Sequence, residues 1–399
     1  MSKDTFDIII SGGGIAGLSA AAGFGTAGFD VLCVDPAIPV TQRDADGSDL
    51  RSTALLQPAR EILTTAGVWP LLEPHGMPLE TMRIVDAGGP EPQARVTQDF
   101  KASDVSELPF GWNFPNWVLR RELLGRLRAL PNVDLRLGVA ATGLFTRTNS
   151  ARVRFSDGTK ANCKLVIAAD GRNSPMRKTA NIPVQTKRYG QKALAFAVTH
   201  PVPHENVSTE IHRSGGPFTL VPLPDFEGNP SSAIVWMEDG PTAQALYEMD
   251  SVAFQDKMTM RSCALYGPLT LATRRTIWPI ISQKAARLTG ERIALMAEAA
   301  HVLPPIGAQG LNMSLRDLRT LLELAQNSPQ DLGTANMLDA YEKARHLDIS
   351  LRVQGIDLLN RASQASAQPL RDARAAGLKA IYGLTPVRKT LMQLGLGVR

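Results

Sequence analysis

Three groups of residues, far apart in the chain, have the types and spacing to hold a charged, electron-rich ligand. The first is Gly12-x-Gly14-x-x-Gly17. Glycines at that spacing permit a tight turn, let a pyrophosphate approach the backbone, and let the following helix pack closely on the strand. Ile15 and Ala16 open that helix, whose free N–H groups and positive end meet phosphate charge. Asp35 follows Gly17 by 18 positions, at the end of a second strand, where a carboxylate binds ribose hydroxyls. The second group is Ala168-Ala-Asp170-Gly171-Arg172-Asn173-Ser174-Pro175-x-Arg177. It follows an apolar strand and falls at the carboxyl edge that bears ligands in an open α/β sheet; taken alone it also reads as an Asp-Gly turn capped by Ser174. The third runs Ala297-Glu298-Ala299-Ala300-His301, then Pro305-x-x-Ala308-Gln309-Gly310-Leu311-Asn312, and on to Asp317. Here a strand ends in a carboxylate, crosses a Pro/Gly loop and enters a helix whose amide-bearing start suits an electron-rich ring. On its own it is a helix-capping loop.

These groups need strands and helices in a particular order. Residues 6–10 read as a buried parallel strand, 14–27 as a helix on it and 30–35 as the next strand, one βαβ unit. Helices are expected over 53–66, 118–130 and 311–325, with strands near 133–137, 140–146, 151–155, 164–168 and 291–296. The stretch 190–239 alternates apolar and polar residues between turns, as antiparallel strands with one wet face do. From 335 onward the pattern is helical, interrupted by Pro369 and Pro386.

Composition bounds the function. The 399 residues, 44% apolar and 20% charged, describe a folded chain of two or three domains. Three cysteines without C-x-x-C spacing exclude a disulfide framework and a cysteine zinc site, predict no metal, and fit a reducing cytoplasm. The opening residues Met1 to Asp7 lack the positive start of a secretory signal, and the apolar run Ile8 to Phe24 is broken by Gly12, Gly13, Gly14 and Gly17. The net charge of +5 is held entirely by residues 366–399. A nucleic-acid binder spreads basic charge over its folded body, so nucleic acid is not an expected partner.

In this order, the three groups resemble the aromatic-ring flavoprotein monooxygenases of the para-hydroxybenzoate hydroxylase type, over essentially the whole chain. That resemblance implies FAD, with its adenosine end on Gly12, Gly14, Gly17 and Asp35, and Asp170 and Gly171 at the pyrophosphate. It places Glu298 on the ribityl chain and Pro305, Ala308, Gln309, Gly310, Leu311 and Asn312 around the flavin ring. Arg51 matches an arginine near the flavin, and Asn116, beside Arg120, an amide side chain that reaches the cofactor. Tyr189-Gly-Gln-Lys-Ala193, Gly216-Pro-Phe-Thr-Leu-Val-Pro-Leu223, Tyr341-x-x-x-Arg345-x-x-Asp348, Leu358-Leu-Asn360 and the Gly-x-Gly at 395–397 narrow the resemblance to the ubiquinone-biosynthesis hydroxylases. Ala297-Glu298 stands where that family usually has Gly-Asp, and Ala308 where it usually has Gly. A positive φ at either alanine would cost on the order of 1 kcal/mol.

The implied fold is α/β: an FAD-binding Rossmann-like domain with a parallel sheet (residues 1–85, 112–180 and 282–340), an antiparallel-sheet substrate domain (86–111 and 181–281) and a helical C-terminus (341–399). The implied activity is hydroxylation of a polyprenylated phenol intermediate of ubiquinone biosynthesis, with NAD(P)H and O₂ as co-substrates, through a C4a-hydroperoxyflavin. Without a second glycine fingerprint, NAD(P)H is expected to dock transiently. No motif supplies a catalytic base: His301 reads as loop and helix-cap packing and His212 as a half-exposed strand residue. Leucines interleaved with six basic residues in the tail suit either peripheral contact with anionic lipid on the inner membrane face or an ordinary docking helix. Other ubiquinone-biosynthesis proteins are candidate partners, and the oligomeric state is left open. Two alternatives are a hydroxylase of a soluble aromatic and a non-catalytic accessory subunit of a ubiquinone-biosynthesis complex.

Overall fold

The computed structural model describes residues 4–364 and 367–396. Readings that rest on Met1 to Lys3, Gly397 and Arg399 lie outside the described residues. The elements that build the site begin with β1 (Ile8–Ser11), α1 (Ile15–Thr26), β2 (Val31–Asp35), β3 (Ser52–Leu56) and α2 (Gln57–Thr65). They continue with β4 (Thr81–Asp86), β5 (Val96–Lys101), β6 (Gly111–Pro115), α3 (Asn116–Arg128), β7 (Val133–Leu137) and β8 (Leu165–Ala168). Next come β9 (Val184–Thr199), β10 (Val207–His212), β11 (Pro217–Phe226), β12 (Asn229–Asp239), β13 (Thr276–Ala285), β14 (Ile293–Leu295) and β15 (His301–Val302). Helices α4 (Gln309–Asn327), α5 (Ala335–Ser363), α6 (Gln368–Gly383) and α7 (Thr385–Leu396) close the chain.

The β-branched run Ile8-Ile9-Ile10 lies at the centre of a sheet ordered β14-β8-β1-β2-β7, with Thr289–Gly290 on the outer edge of β14. The pairs β1–β8, β1–β2, β8–β14 and β2–β7 are parallel, in the register Ile8 with Leu165 and Val31, and Val166 with Ile293. Strands β1, β8 and β14 are buried along their whole length, as parallel strands covered on both faces must be. Their carboxyl ends carry the three residue groups, so one edge of one sheet brings together segments nearly 300 positions apart.

A second, larger sheet runs β15-β13-β9-β12-β11-β10-β4-β5. It is antiparallel except for β10 and β4, which run parallel with His212 beside Asp86. One face packs on a core containing Phe196, Phe218, Trp236 and Phe254; the other faces the carboxyl edge of the parallel sheet across a cavity.

Two expectations need correction. Residues 53–66 are not one helix: β3 pairs antiparallel with β6, Ser52 opposite Pro115, before α2 begins at Gln57. The excursion into the large sheet begins with β4 at Thr81 rather than at residue 86, because β4 is hydrogen-bonded into that sheet. The helical pattern after 335 does break at Pro369 and Pro386, as expected: each opens a new helix, α6 or α7, in whose first turn a missing N–H is harmless.

Candidate active site

At the glycine turn, each residue has its own reason. Gly12 has φ +114°, and a Cβ there would lie 2.3 Å from the Ala169 carbonyl oxygen. A Cβ on Gly17 would lie 1.8 Å from the Gly12 oxygen, so α1 can meet β1 only through glycine. Gly14 has open space where its side chain would be and lines the cavity with Ile15 and Ala16. Asp35 ends β2 and clips the turn: its carboxylate accepts from Gly13 N at 2.6 Å and from Ala37 N at 2.7 Å.

The second group is tied to the third. Arg177, buried, donates to Ala299 O at 2.7 Å and Arg172 O at 2.8 Å. Arg172 reaches Glu298 at 3.3 Å on the cavity rim. Asp170 turns inward, its Oδ2 accepting from Ser11 Oγ at 3.3 Å and Met176 N at 3.0 Å, while Oδ1 is buried without a partner. Burial pushes the Asp170 carboxyl up from its ordinary value. Gly171 and Glu298 line the cavity; Asp170 does not.

The third group rests on a buried carboxylate. Asp317, on α4, holds His301 Nε2 at 2.6 Å, Arg345 Nε at 2.9 Å and the Ala297 N–H at 3.2 Å. Burial raises its pKa, but His301 and Arg345 outweigh that and hold it below its ordinary value. Arg345 is braced in turn by Asp348 at 2.6 Å, and the buried Tyr341 hydroxyl donates to Leu295 O at 2.8 Å. Tyr341, Arg345 and Asp348 of the sequence motif thus hold the loop from behind. Ala297 and Ala308 both adopt left-handed backbone, φ 56° and 54°, the condition under which the departures from glycine carry a cost.

A fourth cluster closes the cavity. Asp49 accepts from Arg51 Nε and Nη2 at 2.8 Å, from Asn116 Nδ2 at 3.0 Å and from Arg120 Nη2 at 3.3 Å. Burial pushes Asp49 up, and the Arg51 hydrogen bond and charge, with Asn116 and Arg120, bring it below the usual carboxylate range. The cavity holds about 540 Å³. It is lined by Gly14, Ile15, Ala16, Arg51, Asn116, Arg120, Gly171, Glu298, Pro305, Ala308, Gln309, Gly310 and Leu311 of the residues expected from sequence. Gly12, Gly17, Asp35, Asp170 and Asn312 lie outside that lining. Asn312 instead pins the loop to β3, bonding Leu56 N at 2.8 Å, Ala54 O at 2.8 Å and Ala308 O at 2.6 Å. Arg177 and Asp317 were visible in the motifs but carried no assigned role, and Asp49 was not singled out; Asn116 and Arg120 at Asp49, Ala299 at Arg177, and His301 and Arg345 at Asp317 are partners that local pattern does not mark. Among the described residues no cluster of metal-ligating side chains occurs.

The family described as FAD binding domain matches residues 5–354. The chain belongs to this flavoprotein hydroxylase family. It is 31% identical over 394 residues to a ubiquinone hydroxylase, UbiL, of Rhodospirillum rubrum, covering 98% of this chain and 89% of that protein. It is 25% identical to the 3-demethoxyubiquinol 3-hydroxylase of Escherichia coli, over the full length of both. Among solved structures, p-nitrophenol 4-monooxygenase of Pseudomonas putida superposes with a TM-score of 0.79 at 16% identity, covering 98% of each chain, which shows a shared fold. The protein is therefore an FAD-dependent monooxygenase, and NAD(P)H is the co-substrate typical of its family. The residues present fit the cofactor: a bare Gly14 at the mouth of the turn, free amides at the start of α1, and a cavity reaching all three groups.

Proposed function

We propose that this enzyme hydroxylates a polyprenylated phenol intermediate of ubiquinone biosynthesis. The observation that carries the reading is the cavity shared by the flavin-side loops and the apolar inner face of the large sheet, where Ala195, Val221, Ala233, Val235 and Trp278 offer a ring-sized surface. Its relatives' names supply the pathway.

Gly14, Ile15 and Ala16 would hold the pyrophosphate, Asp35 would steady the turn beside the adenosine ribose, and Glu298 would meet the ribityl chain. The start of α4, from Gln309, would place amide N–H groups and a positive helix end beside the pyrimidine ring. When bound, FAD supplies hydride acceptance from NAD(P)H and activation of O₂. The chain's own task is to orient the substrate and exclude water from the reacting atoms. Metabolite profiling of a strain lacking this gene tests the reading. Accumulation of a prenylated phenol short of one ring oxygen supports it; unchanged ubiquinone and precursor levels refute it.

The tail contributes a second element. Leu370 and Ile381 on α6, Leu384 between the two helices, and Leu391 and Leu394 on α7 are exposed, with exposed Lys379 and Lys389 among them. Arg374 and Arg388 are engaged internally, by Asp86 at 2.9 Å and Asp104 at 3.6 Å, so fewer basic groups face outward than the sequence promises. Contact with an anionic bilayer through these helices suits a substrate with a prenyl tail. No helix among the described residues is long and apolar enough to cross a membrane.

A further inference from the structure

Oxygen transfer to a phenol needs a group that receives the ring hydroxyl's proton, and none of the motifs supplies one. The large sheet does. Along β10, Thr209 and Ile211 turn into the core, where Thr209 Oγ1 lies 3.0 Å from the buried Tyr266 hydroxyl. Ser208, Glu210 and His212 therefore face the other way, as strand alternation requires, and Ser208 and Glu210 line the cavity. Across the sheet Glu210 is in register with Thr219, Thr219 with Val235, and Val235 with Ala195. All four line the cavity, giving a flat, small-residue floor that ends in a carboxylate. Among the described residues, Glu210 is the one carboxylate that this sheet gives to the cavity. Asp49 and Glu298 come from the opposite wall and are paired with arginines. Glu210 Oε1 lies 2.8 Å from His212 Nε2, and Nδ1 of that ring is buried without a partner. The imidazole holds one carboxylate oxygen of a side chain that lines the cavity.

We propose that Glu210 is a catalytic residue, whose Oε2 accepts the hydrogen bond of a substrate ring hydroxyl and takes that proton as the ring is oxygenated. This rests on the phenol reading above. O₂ is the oxidant and NAD(P)H the reductant, as in the family's reaction. As the new C–O bond forms, the O–O bond that came from O₂ breaks, its second oxygen leaving as water with the two electrons that NAD(P)H supplied, and the ring becomes electron-poor. The hydroxyl O–H bond breaks, its proton bonds to Oε2, and its electron pair closes a C=O bond to give a dienone. Loss of the ring C–H proton to water restores the aromatic ring, and Oε2 returns its proton to the carbonyl oxygen. A carboxylate is a weak base toward a resting phenol but a competent one toward that electron-poor ring. His212 acts as a positioning residue.

The test compares wild type, Glu210→Gln and Glu210→Asp, each loaded with FAD, on a short-chain prenylphenol and its methyl ether. Glu210→Gln should keep its flavin and its substrate-triggered NAD(P)H oxidation while kcat for product falls about 10²-fold, KM rises at most about tenfold, and electrons pass to hydrogen peroxide. Glu210→Asp should recover product formation to within about tenfold of wild type, which a merely structural role would not predict. Binding read by tryptophan fluorescence without NAD(P)H should favour the phenol over the ether by about tenfold in wild type and lose that preference in Glu210→Gln. Product formed by Glu210→Gln at the wild-type rate, or no preference in wild type, overturns the assignment. A wild type that hydroxylates no phenol while still preferring phenol to ether overturns the substrate reading and leaves the Glu210 contact standing.

Discussion

Gly14 and Gly17 make opposite demands on a methyl group. At Gly17 a Cβ would collide with the Gly12 oxygen at 1.8 Å, so Gly17→Ala should prevent α1 from seating and leave insoluble or flavin-free protein. At Gly14 nothing lies within 4 Å, and its φ of −70° suits any residue. Gly14→Ala should thus change stability by no more than about 0.5 kcal/mol while weakening FAD binding by about tenfold or more, because the methyl stands where the pyrophosphate must approach. Paired melting curves and flavin titrations check both. Asp317 is a stronger dependence. Asp317→Asn leaves Arg345 and His301 without their buried counter-charge and should cost about 3–5 kcal/mol, read by denaturant unfolding. Asp317 and Asp49 both titrate lower in the folded protein than in the unfolded chain. Their stabilisation is complete above the unfolded value, about pH 4, and is lost as pH falls through the folded values. Wild type should therefore lose stability more steeply than Asp317→Asn in acid. The glycine turn and its Asp35 clip were legible because so tight a strand–helix turn leaves few alternatives. The inward turn of Asp170 and the Asn312 clamp were not, since their partners come from elsewhere in the chain.

Local pattern reads an element well when its partner is its neighbour. The βαβ unit of β1, α1 and β2 appears where the periodicity put it, and α4 extends the expected helix by two residues at each end. Residues 52–56 were misread because Ser-Thr-Ala-Leu-Leu also suits a helix start; what makes β3 a strand is its pairing with β6, some 60 positions away. The C-terminal elements have the same non-local logic. Asp86, almost fully buried, lies between Arg95 at 2.6 Å and Arg374 at 2.9 Å, and Arg95 also reaches Asp372, so α6 is clamped to the β4–β5 hairpin. Phe100 packs edge-on against Tyr382 to extend the contact. Arg374→Ala should cost on the order of 2 kcal/mol and speed amide exchange in α6 while the bound flavin stays in place. Hydrogen-exchange mass spectrometry would show it, and unchanged protection in α6 would mean that the clamp does not hold the helix.

At the scale of the whole molecule, a parallel sheet presents its carboxyl edge to the inner face of a mostly antiparallel one, and the chain must cross between them several times. The fold class was legible from the order of the motifs. The sheet wall was not: Ser208, Glu210, Thr219 and Val235 converge only through register, and no spacing in the sequence marks them. For the same reason Glu210 on the sheet wall of the cavity escaped notice, while residues from all three motif groups do line that cavity. The most direct test of the assembled site is incubation of FAD-loaded protein with NAD(P)H, a prenylated phenol and isotopically labelled O₂. The prediction is one labelled oxygen atom on the ring of the product; a colourless protein that takes up no flavin, or a flavin-loaded one that leaves every such phenol unlabelled, would contradict it.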